Sequence, residues 1–115
     1  GLGRVKNEWV RNLAHGHQKM LGVARALATR PRLLLLDEPL AGMNPGEIQE
    51  SLEAIRGMCD NGITVLIVEH NMQILNLCDR VVVISFGKKI TEGPPAEVRA
   101  NQEVISAYFG TDYVC

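Results

Sequence analysis

Long apolar runs are missing from this chain of 115 residues: none approaches the roughly 20 that an α-helix needs to cross a bilayer. The opening stretch, GLGRVKNEWV, holds no hydrophobic signal core. A soluble, cytosolic chain is therefore expected, free to dock on a membrane partner. An excess of either charge is also missing, with 12 Lys and Arg against 13 Asp and Glu. That leaves no electrostatic case for nucleic acid or for an acidic membrane surface. Aromatic residues make up only 4% of the sequence, too few for base-stacking platforms. The three cysteines, Cys59, Cys78 and Cys115, fit no CxxC or zinc spacing. Reduced, mostly buried thiols are expected. Repeats and low-complexity tracts are absent too.

What is present suits one modest globular domain: 46% hydrophobic and 22% charged residues. Residues 1–12 read as a short helix or loop. Met20, Leu21, Val23, Ala24, Leu27 and Ala28 predict a helix from about Gln18 to Ala28, stopped by Pro31. A first strand is predicted at Leu33–Leu36. Asn44 as N-cap, Pro45 at the first helical position and Glu47 completing a capping box announce the next helix. Its apolar stripe is Ile48, Leu52, Ile55 and Cys59, and Asn61-Gly62 ends it. A second strand at Ile63–Val68, a short helix at about Asn71–Leu77 and a third strand at Arg80–Ser85 follow. Gly87 turns the chain into a fourth strand at about Lys88–Glu92, and two small helices, Ala96–Arg99 and Val104–Phe109, complete it. The predicted class is α/β: a mostly parallel sheet of strands one to three with flanking helices, then a C-terminal hairpin.

The chain is organised around Leu33–Asn44, LLLLDEPLAGMN. Four consecutive leucines suit a strand buried on both faces. The strand ends in Asp37 and Glu38, and the second strand ends in Glu69 and His70, so four ionisable groups are expected at one carboxyl edge. A carboxylate there can hold Mg²⁺, usually through water, where the metal bridges nucleotide phosphates. Glu38 can orient or deprotonate an attacking water. His70 can hydrogen-bond a terminal phosphate. Gly16, in a loop opening a helix, offers free N–H groups to an anion. Each feature also has a bland reading. Asp37 alone caps a turn before Pro39 about as often as it serves chemistry. His15 and His17 without a third ligand are loop residues rather than a metal site.

Taken together, these segments resemble the ATP-binding cassette (ABC) ATPases over nearly the whole chain. Their LSGGQ signature and the helix ending IARAL align without gaps on Leu13–Leu27. Their Walker B strand and catalytic glutamate match Leu33–Glu38, the D-loop matches Ala41–Asn44, and the switch histidine matches His70. DEPxAGMNP, VEHNM and CDRVVVISFGKKITEGPPAEVRAN are most similar to ATP-binding subunits of branched-chain amino acid importers.

The resemblance implies a partial P-loop NTPase core with ATP and Mg²⁺ as cofactors. It places Asp37 on the metal, and Glu38 and His70 in catalysis. Ala14, His15, Gly16, His17 and Gln18, with Gly42, Met43 and Asn44, would close over a nucleotide held by a second, head-to-tail cassette. Membrane permease subunits are the implied partners, with a periplasmic binding protein acting indirectly. The implied location is cytoplasmic, peripheral on the inner face of a prokaryotic cell membrane. There are departures from the pattern. Ala14 replaces the signature serine, His15 a glycine, His17 the glutamine and Asn44 the D-loop aspartate. No GxxxxGK[ST] occurs in the sequence. The chain is accordingly read as the carboxyl half of a cassette, inactive by itself; with apolar sheet edges left open, it is expected to self-associate or to fold with the signature helix loosely attached. A rival reading is a non-catalytic truncated cassette that serves as an interaction module. A third is the ATPase of another ABC system.

Overall fold

A computed structural model of the chain describes residues 1–109. They form two compact units, Gly1–Met72 and a second that begins at Gln73.

The first unit opens with two single turns of 3-10 helix, Leu2–Val5 and Val10–Asn12. Helix α1 spans His15–Leu27, strand β1 Leu33–Asp37, helix α2 Pro45–Asp60 and strand β2 Thr64–Val68. β1 and β2 pair in parallel, with Leu34 opposite Val65 and Leu36 opposite Ile67. A parallel pair needs a crossover of about a dozen residues or more, and α2 supplies it.

α2 is well specified at both ends. The Asn44 side chain accepts from the Glu47 N–H at 3.0 Å, and the Glu47 carboxylate accepts from the Asn44 N–H at 3.0 Å, so the predicted capping box forms. At the other end Gly62 has φ +87°; Ile63 N–H bonds Met58 C=O and Gly62 N–H bonds Cys59 C=O. That is the Schellman pairing, and the positive φ is why glycine stands there.

Helix α1 begins three residues before the predicted start. Gly16 therefore lies in its first turn, not in a preceding loop, and Ala14 is an N-cap with no side-chain bond to offer. Instead the Gln18 amide donates to Leu13 C=O at 2.9 Å and holds the approach to the helix.

The expectation of a strand buried on both faces fails. Leu34 and Leu36 are buried, whereas Leu33 and Leu35 are 53% and 65% exposed. The register puts Leu66 and Val68, both exposed, on that same open face. α1 packs on β1 and α2 on β2, and the alternating burial places both helices over the Leu34–Leu36 face. An open apolar face of this kind favours association.

The second unit contains a 3-10 turn that begins in the first, Met72–Asn76, and strands β3, Val81–Ser85, and β4, Lys88–Gly93. Helices α3, Pro95–Ala100, and α4, Gln102–Phe109, follow. β3 does not extend the parallel sheet; among the described residues it pairs only with β4, antiparallel, as the predicted hairpin. The segment between β2 and β3 carries a 3-10 turn and no α-helical crossover, while a two-residue loop pairs β3 with β4 at little entropic cost. That loop, Phe86-Gly87, has positive φ at both positions, the backbone of a type I′ turn. Val83, Val98 and Val104 form the core of this unit, with Val81 and Ile90 packed against them.

The thiols depart from expectation. Cys59 is exposed because the buried stripe of α2 ends at Ile55, and Cys78 is half-buried with its Sγ 3.3 Å from Ile74 C=O. Cys115 lies outside the described residues.

Candidate functional site

The candidate residues Asp37, Glu38, Glu69 and His70 lie at the edge where β1 and β2 end. The ladder continues one residue past the strand: Glu38 N–H bonds Val68 C=O at 2.8 Å. Asp37 is exposed, and its carboxylate has no hydrogen bond or ion pair among the described residues. Glu38 adopts φ +45°, a left-handed backbone that a non-glycine residue holds only at a cost of about 1–3 kcal/mol and under local constraint. The chain then folds through two successive turns. Ala41 N–H bonds Glu38 C=O, and Met43 N–H bonds Leu40 C=O, with Gly42 at φ +75°. Pro39 and Leu40 are buried and anchor these turns.

His70 enters from the end of β2. Its Nδ1 stands 3.5 Å from Glu38 Oε1, so the predicted pair is brought together, with both side chains more than half exposed. The ring's other nitrogen is left for a further partner. Glu69 lies beneath them. Its side chain is 1% exposed; Oε1 accepts from Leu40 N–H at 2.7 Å, and Oε2 accepts from His70 N–H at 3.1 Å and Asn71 N–H at 3.4 Å.

The segment Ala14–Gln18 forms the start of α1. Its first intrahelical bond is Gln18 N–H to Ala14 C=O, so the N–H groups of His15, Gly16 and His17 face the helix end. Two contacts join it to the chain after Glu38, one to the turns and one to the first turn of α2. A methyl on Gly42 would stand 3.1 Å from the His15 ring, so the ring lies directly against that glycine. A methyl on Gly16 would come within 2.8 Å of the Glu47 carboxyl carbon. Glu47 thus touches α1 while capping α2 at Asn44. Met43 is fixed on its other side, where the Ser51 hydroxyl meets its Sδ at 3.3 Å. The predicted residues therefore gather as two groups: Asp37, Glu38 and His70 in one, and in the other His15 against Gly42, with Gly16 and Asn44 against Glu47.

Lys19 bridges the groups: its Nζ donates to Glu38 C=O at 2.9 Å. Sequence reasoning missed it. One helical turn beyond His15, it reads as an exposed face residue, and only the left-handed turn at Glu38 brings a carbonyl within reach. Glu69 had a signal, a carboxylate directly before His70, but not a role.

A resident metal ion finds one open carboxylate here and no cage; no group of three or more ligating side chains exists among the described residues. That fits Mg²⁺, which is commonly held by one or two carboxylates plus substrate phosphates.

The ABC transporter family model matches residues 1–41, and the model for branched-chain amino acid ATP-binding cassette transporters matches residues 88–114. Over 111 residues the chain is 41% identical to the high-affinity branched-chain amino acid transport ATP-binding protein BraF of Pseudomonas aeruginosa, covering 95% of this chain and 44% of BraF. MJ1267, an ATP-binding cassette of an ABC transporter, matches in structure with a TM-score of 0.84 and 30% identity, over 93% of this chain and 44% of that one. The chain belongs to the ATP-binding cassettes of ABC transporters. The lipopolysaccharide export ATP-binding protein LptB of Escherichia coli is 36% identical over 97% of the cassette chain and 47% of its own length. The cassette chain thus spans less than half of each of these curated relatives. Its fold class is the expected one, part of the α/β core of a P-loop cassette.

Proposed function

We propose that this chain supplies the hydrolytic edge of the ATPase subunit of a branched-chain amino acid importer. The observation that carries the reading is the Glu38–His70 pair, 3.5 Å apart where two parallel strands end beside Asp37. Glu38 polarises the attacking water and takes its proton. His70, with Nδ1 toward Glu38, offers its far nitrogen to the terminal phosphate. Asp37 would hold Mg²⁺, which would supply positive charge to offset that of the phosphates. The N–H groups of His15, Gly16 and His17, with Gly42, Met43 and Asn44, seal the nucleotide of a second cassette. Permease subunits at the inner membrane face receive the resulting movement, and a periplasmic binding protein delivers the solute.

The importer assignment rests on the 41% identity to BraF, against 36% to LptB. The phosphate-gripping GxxxxGK[ST] half is not in this sequence, so the chain alone neither binds Mg-ATP tightly nor turns it over. Calorimetry of Mg-ATP with the 115-residue chain tests this. No heat above dilution is expected, and micromolar binding would overturn it. A second reading, a non-catalytic interaction module, is favoured by Ala14 in place of the signature hydroxyl and by Glu47 beside Gly16, where its charge opposes an incoming phosphate. Hydrolysis by a full-length cassette containing this chain excludes that reading.

A further inference from the structure

Glu69 is the one deeply buried carboxylate of the first unit's edge, and the chemistry proposed above does not use it. Its side chain is 1% exposed beneath Glu38 and His70, which are 53% and 70% exposed. A carboxylate out of water is costly unless N–H donors replace the lost hydration. Glu69 meets three, and they belong to two different segments. Leu40 N–H, two residues after Glu38, bonds one oxygen; His70 N–H and Asn71 N–H bond the other. Bonds from backbone N–H to an ionised acceptor are stronger than neutral ones.

These bonds act where the backbone needs holding. Glu38 sits at φ +45°, a conformation that persists only when its surroundings impose it. Val68 C=O holds the N–H of Glu38, Lys19 Nζ holds its C=O, and Glu69 holds the turn two residues on. Of the three, only Glu69 also grips the residue that faces Glu38.

We propose that Glu69 is a positioning residue that sets the spacing between Glu38 and His70 by bonding the backbone of both their segments. This rests on the hydrolytic reading of the pair. A misplacement of about 1 Å in such a pair costs on the order of 100-fold in rate. Glu69→Gln keeps the shape but turns one acceptor into a donor, which then faces either Leu40 N–H or the two N–H groups of His70 and Asn71.

The test has two arms. In a full-length cassette containing this chain, Glu69→Gln is expected to lower kcat for Mg-ATP about 10- to 100-fold with KM within about threefold of wild type. A purely structural role would lower the active fraction without shifting the His70 ring resonances of the folded protein; a positioning role shifts them. Wild-type kcat in the variant, or unshifted resonances, would overturn the inference alone. A wild-type cassette that does not hydrolyse ATP would overturn the reading beneath it. The second arm needs no variant. In the 115-residue chain the Leu40 and His70 amides are expected to be protected from hydrogen exchange although both lie outside helices and strands. Exchange at the unprotected rate in either amide would overturn the proposal whether or not Glu69→Gln folds.

Discussion

Replacing Leu34 and Leu35 by alanine, one at a time, separates two neighbours of the same type in the same strand. Leu34 is 4% exposed and belongs to the inner face under α1 and α2. Its truncation removes buried methyl groups and leaves a cavity, a loss of about 2–5 kcal/mol in comparable cores. Leu35 is 65% exposed, so only about a third of its side-chain burial is at stake. Full burial of a leucine is worth about 1.5–3 kcal/mol, which leaves about 0.5–1 kcal/mol for Leu35→Ala. Urea unfolding of the chain, followed by far-UV circular dichroism at low protein concentration, measures both. The midpoint is expected to fall several times further for Leu34→Ala at an unchanged m-value. Leu36→Ala and Leu66→Ala repeat the contrast, at 8% and 59% exposure. Equal losses for Leu34 and Leu35 would refute one-sided burial of this sheet.

Further outcomes follow from local geometry. Asn44→Ala removes the side-chain half of the capping box and is expected to cost about 1 kcal/mol, read from the same unfolding curves. Gly22→Ala adds a methyl where nothing lies within 4 Å and is expected to stabilise α1 by about 0.5–1 kcal/mol. Gly16→Ala is expected to gain nothing or to destabilise, because Glu47 must swing away and give up its bond to Asn44 N–H. Phe86→Asn, at a fully exposed position with φ +47°, places the residue preferred in a type I′ turn and is expected to raise Tm.

The parts of this fold readable from sequence are those written in local code. The Asn44-Pro45-Glu47 start and the Asn61-Gly62 stop of α2 depend on neighbouring residues alone, and both form as expected. Gly87 marked the hairpin for the same reason. The misreadings concern what lies across space. LLLL is a run that two covered faces would suit, yet the described residues cover only the Leu34–Leu36 face; composition does not tell which elements flank a strand. A helical link before β3 would suit a place in the parallel sheet, but a 3-10 turn stands there instead. Asp37, Glu38 and His70 share an edge as expected, because the ends of paired parallel strands lie side by side. Lys19 and Glu69 act on backbone groups exposed by the turn at Glu38, and no side-chain pattern records where a carbonyl or an N–H will point.

In the proposed function, Glu38 activates the water that attacks a triphosphate. Steady-state Mg-ATP hydrolysis by a full-length cassette carrying Glu38→Gln measures this directly. A kcat at least about 100-fold below wild type is expected, with nucleotide binding retained. A variant that hydrolyses ATP at the wild-type rate would contradict it.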